Sequence, residues 1–163
     1  DLAKERKSQA GNTTAYTPAT SLIIGLNKVL DMMYDEGLEN VYHRHAVNAE
    51  ATRAAVTALG FKLLAEVPSN AATGFYLPEG FDGGKFVKYM RELVGVTYAG
   101  GQDHLKGKIL RLSSLGYHDA FDTITAVSAL EMGLVNFGLN IDMGSGVKAA
   151  QVIFKDYIGK DNG

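Results

Sequence analysis

"GKILRLSSLG", residues 107–116, is the stretch whose reading decides the fold. Side chains of a strand point alternately to opposite faces. Leu110 and Leu112 then share one face, while Ile109, Arg111 and Ser113 take the other. The leucine side needs an apolar cover. Arg111 projects from the opposite side, so helices are expected on one face of the sheet only.

Working outward, strands are also expected at "VTYAG" (96–100), "FKLLAEV" (61–67) and "AATGFYLP" (71–78), the last two joined by the "PSN" turn. "DGGKFVKYMRELVG" (82–95) predicts a short amphipathic helix with Phe86, Met90 and Leu93 inward, and "GGQDHLKG" (100–107) a loop. Longer helices flank this centre. One runs over 19–34 with Leu22, Leu26, Val29, Leu30 and Met33 on one face, ended at Gly37. A second, over 38–59, is rich in alanine, which favours helix and lets a neighbour pack closely; Gly60 stops it. A third, over 118–138, turns Phe121, Ile124, Val127, Leu130 and Leu134 inward, and a last one covers 147–158. Residues 1–17 are polar and read as a loop. Helices at both ends with short strands between predict an α+β fold, a small and mostly antiparallel sheet covered by helices on one face.

The chain has 163 residues, 46% hydrophobic and 21% charged, enough for one domain with a real core. A net charge of −2 gives no general attraction to nucleic acid or acidic membrane, and neither is expected as a partner. The absence of cysteine excludes disulfides, thiolate metal sites and a cysteine nucleophile, and fits a reducing cytoplasm. No apolar run approaches the ~20 residues that span a bilayer.

Three features carry chemistry. "NTTAYTPATS" (12–21) crowds six hydroxyl side chains in front of the first long helix. Thr17 as N-cap and Pro18 as first helical residue explain it structurally. The same helix start attracts anions, and Thr14 and Thr17, three apart, are spaced to meet one phosphate. Arg111 is either an ordinary exposed arginine or a guanidinium fork held on a rigid strand for a carboxylate. Gly100 and Gly101 either make a plain turn or allow close approach of a ligand. His43 and His45 in "YHRH" are two apart and do not share a helical face, so no metal site is expected. "GSGVKA" (144–149) lacks the strand and acidic residue of a dinucleotide site and reads as loop and helix start.

The order "TPAT" (17–20), "DEGLENVYHRH" (35–45), "ALGF" (58–61), a "GG" loop, "LKGKILRLSSLG" (105–116) and "MGSGVKAAQ" (143–151) resembles the C-terminal part of class V, fold-type I pyridoxal-phosphate aminotransferases. It is similar above all to the alanine–glyoxylate/serine–pyruvate subgroup, some members of which are labelled soluble hydrogenase subunits. The resemblance implies that Arg111 binds the substrate carboxylate, that Gly100 and Gly101 line the substrate entrance, and that Thr14 and Thr17 reach the pyridoxal 5'-phosphate group of the other subunit in a homodimer. Many relatives carry Tyr where Thr14 stands. The family's Schiff-base lysine lies upstream of anything in this sequence, so no catalytic residue is assigned. The resemblance thus implies a lead-in segment over 1–17 and a small domain over 18–163, belonging with a large N-terminal domain to an enzyme that moves an amino group between a small amino acid and a 2-oxo acid. Two other readings stay open: a non-catalytic anion- or metabolite-binding regulatory module, and a lyase or desulfurase of the same fold.

Overall fold

The structure is a computed structural model describing residues 1–158. The chain forms two compact units, Asp1–Val41 and the part from Tyr42 on.

In the first unit, residues 2–10 are helical rather than loop (α1, Leu2–Ala10). The Asp1 carboxylate caps them by accepting from the Ala3 and Lys4 N–H groups at 3.0 and 3.3 Å. This helix has no apolar face for a periodicity argument to find, and its cap and helix-forming residues sustain it. Helix α2 spans Thr20–Glu36, and Gly37, at φ 85°, turns the chain out of it. None of its residues is buried, so its apolar stripe is exposed.

The second unit contains the sheet. Helix α3 (Leu38–Ala58) leads into it and ends at Gly60, whose φ is 86°. Strands β1 (Ala72–Tyr76), β2 (Ala99–Gly100) and β3 (Ile109–Ser113) form an antiparallel sheet in the order β1–β3–β2. The decisive stretch is therefore the central strand. The "FKLLAEV" segment does not extend as a full strand: it adds one bridge, Leu63 to Phe75, beside β1. "VTYAG" likewise pairs only at its last two residues.

Along β3, Leu110 and Leu112 are buried while Arg111 and Ser113 are exposed, but Ile109, expected on the open face with Arg111, is buried as well, where the return of the chain at Gly101 packs on it. The leucines meet a core that includes Val56 of α3, Phe75 of β1, and Leu130 and Leu134 of α5 (Ala120–Asn136). A second cluster joins three helices. Ala51 and Ala55 of α3, wholly buried, pack with Val127 of α5 and with Ala150 and Phe154 of α6 (Ser145–Phe154). The alanines thus act as the sequence suggests, letting helix backbones approach.

Two inward assignments are corrected. Helix α4 (Gly83–Tyr89) runs into a π-turn over Met90–Val94. Phe86 and Met90 are fully buried, but the wider turn rotates Leu93 outward, where it is 77% exposed. Phe121 lies in the first turn of α5 and is also exposed; the buried stripe begins instead at Ala120 and Thr123. Among the described residues no helix is long and apolar enough to cross a membrane, and no cluster of His, Cys, Asp or Glu could hold a metal.

Candidate carboxylate site

The pairing of β2 with β3 covers only Ala99 to Arg111 and Gly100 to Leu110. Beyond it, residues 96–98 part from β3, and a pocket of about 350 Å³ opens between them. Its walls include Thr97, Ala99, Arg111 and Ser113; Thr52 of α3 and Thr123 of α5 close it from the helix layer.

Among the described residues, Arg111 is the only Lys or Arg lining the pocket, and no Asp or Glu lines it. Its Nε donates to the Gly100 carbonyl at 3.1 Å. Among the described residues no carboxylate pairs with the guanidinium, and its Nη edge has no partner. The exposed neighbours on its face of the sheet, Ala72, Tyr76 and Ala99, carry no charge. A fixed, unneutralised fork is built to accept a carboxylate in two parallel hydrogen bonds.

Tyr98 forms a buried wall. Its hydroxyl donates to the Ala126 carbonyl at 2.7 Å, and burial pushes its pKa well above the usual tyrosine value. It is therefore a neutral, spoken-for group rather than an acid or base. Neither Gly100 nor Gly101 lines the pocket. Gly100 contributes its carbonyl to Arg111. At Gly101 a Cβ would stand 2.1 Å from the Leu105 carbonyl oxygen, so this glycine permits the tight return of the chain toward β3.

The other sequence-derived positions lie in the first unit. Thr14 and Thr17 are both exposed between α1 and α2. Thr17 is not the N-cap of α2, nor is Pro18 its first residue. The N-cap is Ala19, at φ −78°, ψ 59°, and the Thr20 N–H closes an inverse γ-turn onto the Pro18 carbonyl at 2.9 Å. No side chain caps this helix. The helix start at 144–146 is different: buried Glu131 accepts from the Gly144, Gly146 and Val147 N–H groups at 2.8, 2.8 and 3.1 Å. That anion site is filled from within the fold.

Sequence reasoning missed Thr52, Thr97, Thr123 and His118 as pocket residues. They come from separate parts of the chain and share no motif; strand register and the docking of α3 and α5 on the sheet bring them together.

No family model matches the chain. It is 40% identical over 159 residues to the soluble hydrogenase 42 kDa subunit of Anabaena cylindrica, covering 96% of this chain and 41% of that protein. It is 35% identical over 159 residues to the serine–glyoxylate aminotransferase of Methylorubrum extorquens, covering 96% of this chain and 40% of the other. The chain thus spans about two fifths of the length of the curated relatives it matches. The crystal structure of pyridoxamine–pyruvate aminotransferase from Mesorhizobium loti superimposes with a TM-score of 0.81 at 32% identity, over 87% of this chain and 37% of that one. Sequence similarity along nearly the whole chain and a shared α+β architecture place it in one family: the chain belongs to the class V aminotransferases and has the fold of their C-terminal domain.

Proposed function

We propose that this domain supplies the substrate-carboxylate site of a pyridoxal-phosphate-dependent aminotransferase that moves an amino group from a small amino acid to a 2-oxo acid. The observation that carries the reading is Arg111: held by the Gly100 carbonyl, facing a pocket, and without an acidic partner. A substrate carboxylate supplies that missing partner. Serine and glyoxylate, named for a relative at 35% identity, fit a pocket of this size.

The chain's residues do not fit the covalent anchor of the cofactor. Every lysine among the described residues is exposed, and none lines the pocket. When bound, pyridoxal phosphate supplies the electron sink for breaking the substrate's Cα–H bond; its lysine belongs to a large domain outside this sequence. This domain's share is binding and orientation. Arg111 fixes the carboxylate, and the Gly100 carbonyl of β2 fixes Arg111. The exposed hydroxyls of Thr14 and Thr17, beside the uncapped start of α2, receive the cofactor phosphate of a second subunit in a homodimer.

The test is steady-state kinetics of the full-length enzyme with L-serine and glyoxylate. Arg111→Ala removes a charge-assisted pair worth about 1.5–3 kcal/mol, which raises KM for serine roughly 10- to 150-fold. Arg111→Lys keeps the charge but neither the fork nor the bond to Gly100, and recovers little. An unchanged KM in both variants would remove Arg111 from the site.

A further inference from the structure

We propose that Arg44 and Asn48 of α3 are positioning residues that clamp the Leu115–His118 rim of the pocket and so set the shape of the carboxylate site. This rests on the reading of Arg111 given above.

The geometry is specific. Residues 44 and 48 are one helical turn apart and share a face of α3. Asn48 Nδ2 donates to the His118 carbonyl at 2.8 Å, and Arg44 Nη1 donates to the same oxygen at 2.9 Å. The two donors engage both lone pairs of one carbonyl. Arg44 Nη1 also reaches the Gly116 carbonyl at 3.0 Å, and its guanidinium lies 5.9 Å from the Tyr117 ring centroid. Gly116, at φ 94°, makes the turn that presents both carbonyls to α3. One turn further along α3, the Thr52 hydroxyl donates to the Asn48 carbonyl at 2.8 Å. Thr52, Leu115 and His118 all line the pocket. One helix face therefore holds the rim and forms part of the wall.

The rim needs such a hold. Leu115 is 59% exposed and Tyr117 83% exposed, so little apolar burial fixes the segment. A stretch with few buried contacts opens locally unless polar bonds restrain it. The rim also follows β3 directly, with Leu115 four residues beyond Arg111. Movement there changes where the bound substrate sits relative to the guanidinium, and small misplacements cost rate and affinity.

The test uses the full-length enzyme and two readouts, amide hydrogen exchange over residues 115–118 and kinetics with L-serine and glyoxylate. In Arg44→Ala, the rim amides exchange roughly tenfold faster or more while β3 and α5 keep their protection. KM for serine rises about fivefold or more. Arg44→Lys, which keeps the charge but has a shorter side chain without the rigid planar fork, falls between wild type and Arg44→Ala in both. If Arg44→Ala fails to fold, the ordering of wild type, Arg44→Lys and Arg44→Gln decides the matter. Unchanged rim exchange overturns the clamp, and so does faster exchange with unchanged KM. Arg111→Ala separates the two claims. If it raises KM where Arg44→Ala does not, the clamp alone fails; if neither raises it, the carboxylate reading fails as well.

Discussion

The Nε–H of Arg111 donates to the Gly100 carbonyl at 3.1 Å, from the central strand to its two-residue neighbour. An exposed arginine otherwise samples many rotamers, and ordering one on binding costs up to about 2 kcal/mol. Here much of that ordering is done before a ligand arrives. The bond engages the side of the guanidinium and leaves the Nη edge without a partner among the described residues. The short β2 strand thereby has a role beyond sheet formation: it carries the carbonyl that aims the fork.

Gly101 and Gly100 should therefore respond differently to substitution. A Cβ on Gly101 would meet the Leu105 carbonyl oxygen at 2.1 Å and Ile109 Cγ1 at 2.9 Å, whereas nothing lies within 4 Å of one on Gly100. Neither residue has a positive φ. Gly101→Ala must force the chain at 101 and the Leu105 turn apart, destabilising the domain by roughly 1–3 kcal/mol and disturbing the adjoining Gly100 carbonyl that holds Arg111. Gly100→Ala should be near neutral. Urea denaturation of the two variants checks this, and coincident midpoints would refute it.

What the sequence made legible follows from where the information is local. Alternation in Leu110, Arg111 and Leu112 is a property of neighbouring residues, and the central strand and the opposite sides taken by these three were read from it correctly; Ile109, assigned to the open face, is buried because the chain folds back over it at Gly101. The alanine seam of α3 was legible for the same reason. The π-turn was not: a helical stripe extrapolated from Phe86 and Met90 puts Leu93 inside, and only packing against α5 shows otherwise. Gly133, where a Cβ would stand 2.2 Å from Met90 Sδ, marks how closely those elements meet. The helix start at Thr17-Pro18 was displaced by two residues because an inverse γ-turn at Ala19 competes with the side-chain cap. Of the candidate site, Arg111 could be seen in advance because its type clashes with its strand. The threonines from α3, α5 and the 96–98 segment could not, since their meeting depends on strand register and helix docking.

Glu131 offers a test of how the last helix is held. It is 3% exposed, and its carboxylate accepts three backbone N–H bonds from the start of α6. Glu131→Gln removes the charge and turns an NH₂ group toward donors, leaving at least one of the three N–H groups without its acceptor. Stability should fall by roughly 1.5–3 kcal/mol, with exchange rising first at the amides of Gly144, Gly146 and Val147. Unchanged stability and protection would show that α6 does not depend on this carboxylate.

Tyr98 connects the pocket wall to stability at alkaline pH. Its folded pKa is raised by burial, while an unfolded tyrosine ionises near pH 10. Below that pH both states hold the proton and the group adds no slope. Above it, the unfolded chain loses the proton that the folded chain keeps, so stability falls as pH rises. Tyr98→Phe removes this effect but also the bond to the Ala126 carbonyl, costing about 0.5–1.5 kcal/mol at neutral pH. The Ala126 carbonyl sits within α5 and keeps its helical partner, so no orphaned acceptor enlarges that cost. Urea denaturation at about pH 8 should show the variant weaker than wild type, and at about pH 10.5 the gap should narrow by about 0.8 kcal/mol. A gap of the same size at both values would mean that the Tyr98 hydroxyl ionises as readily in the fold as in water, and that the wall it forms is open to solvent.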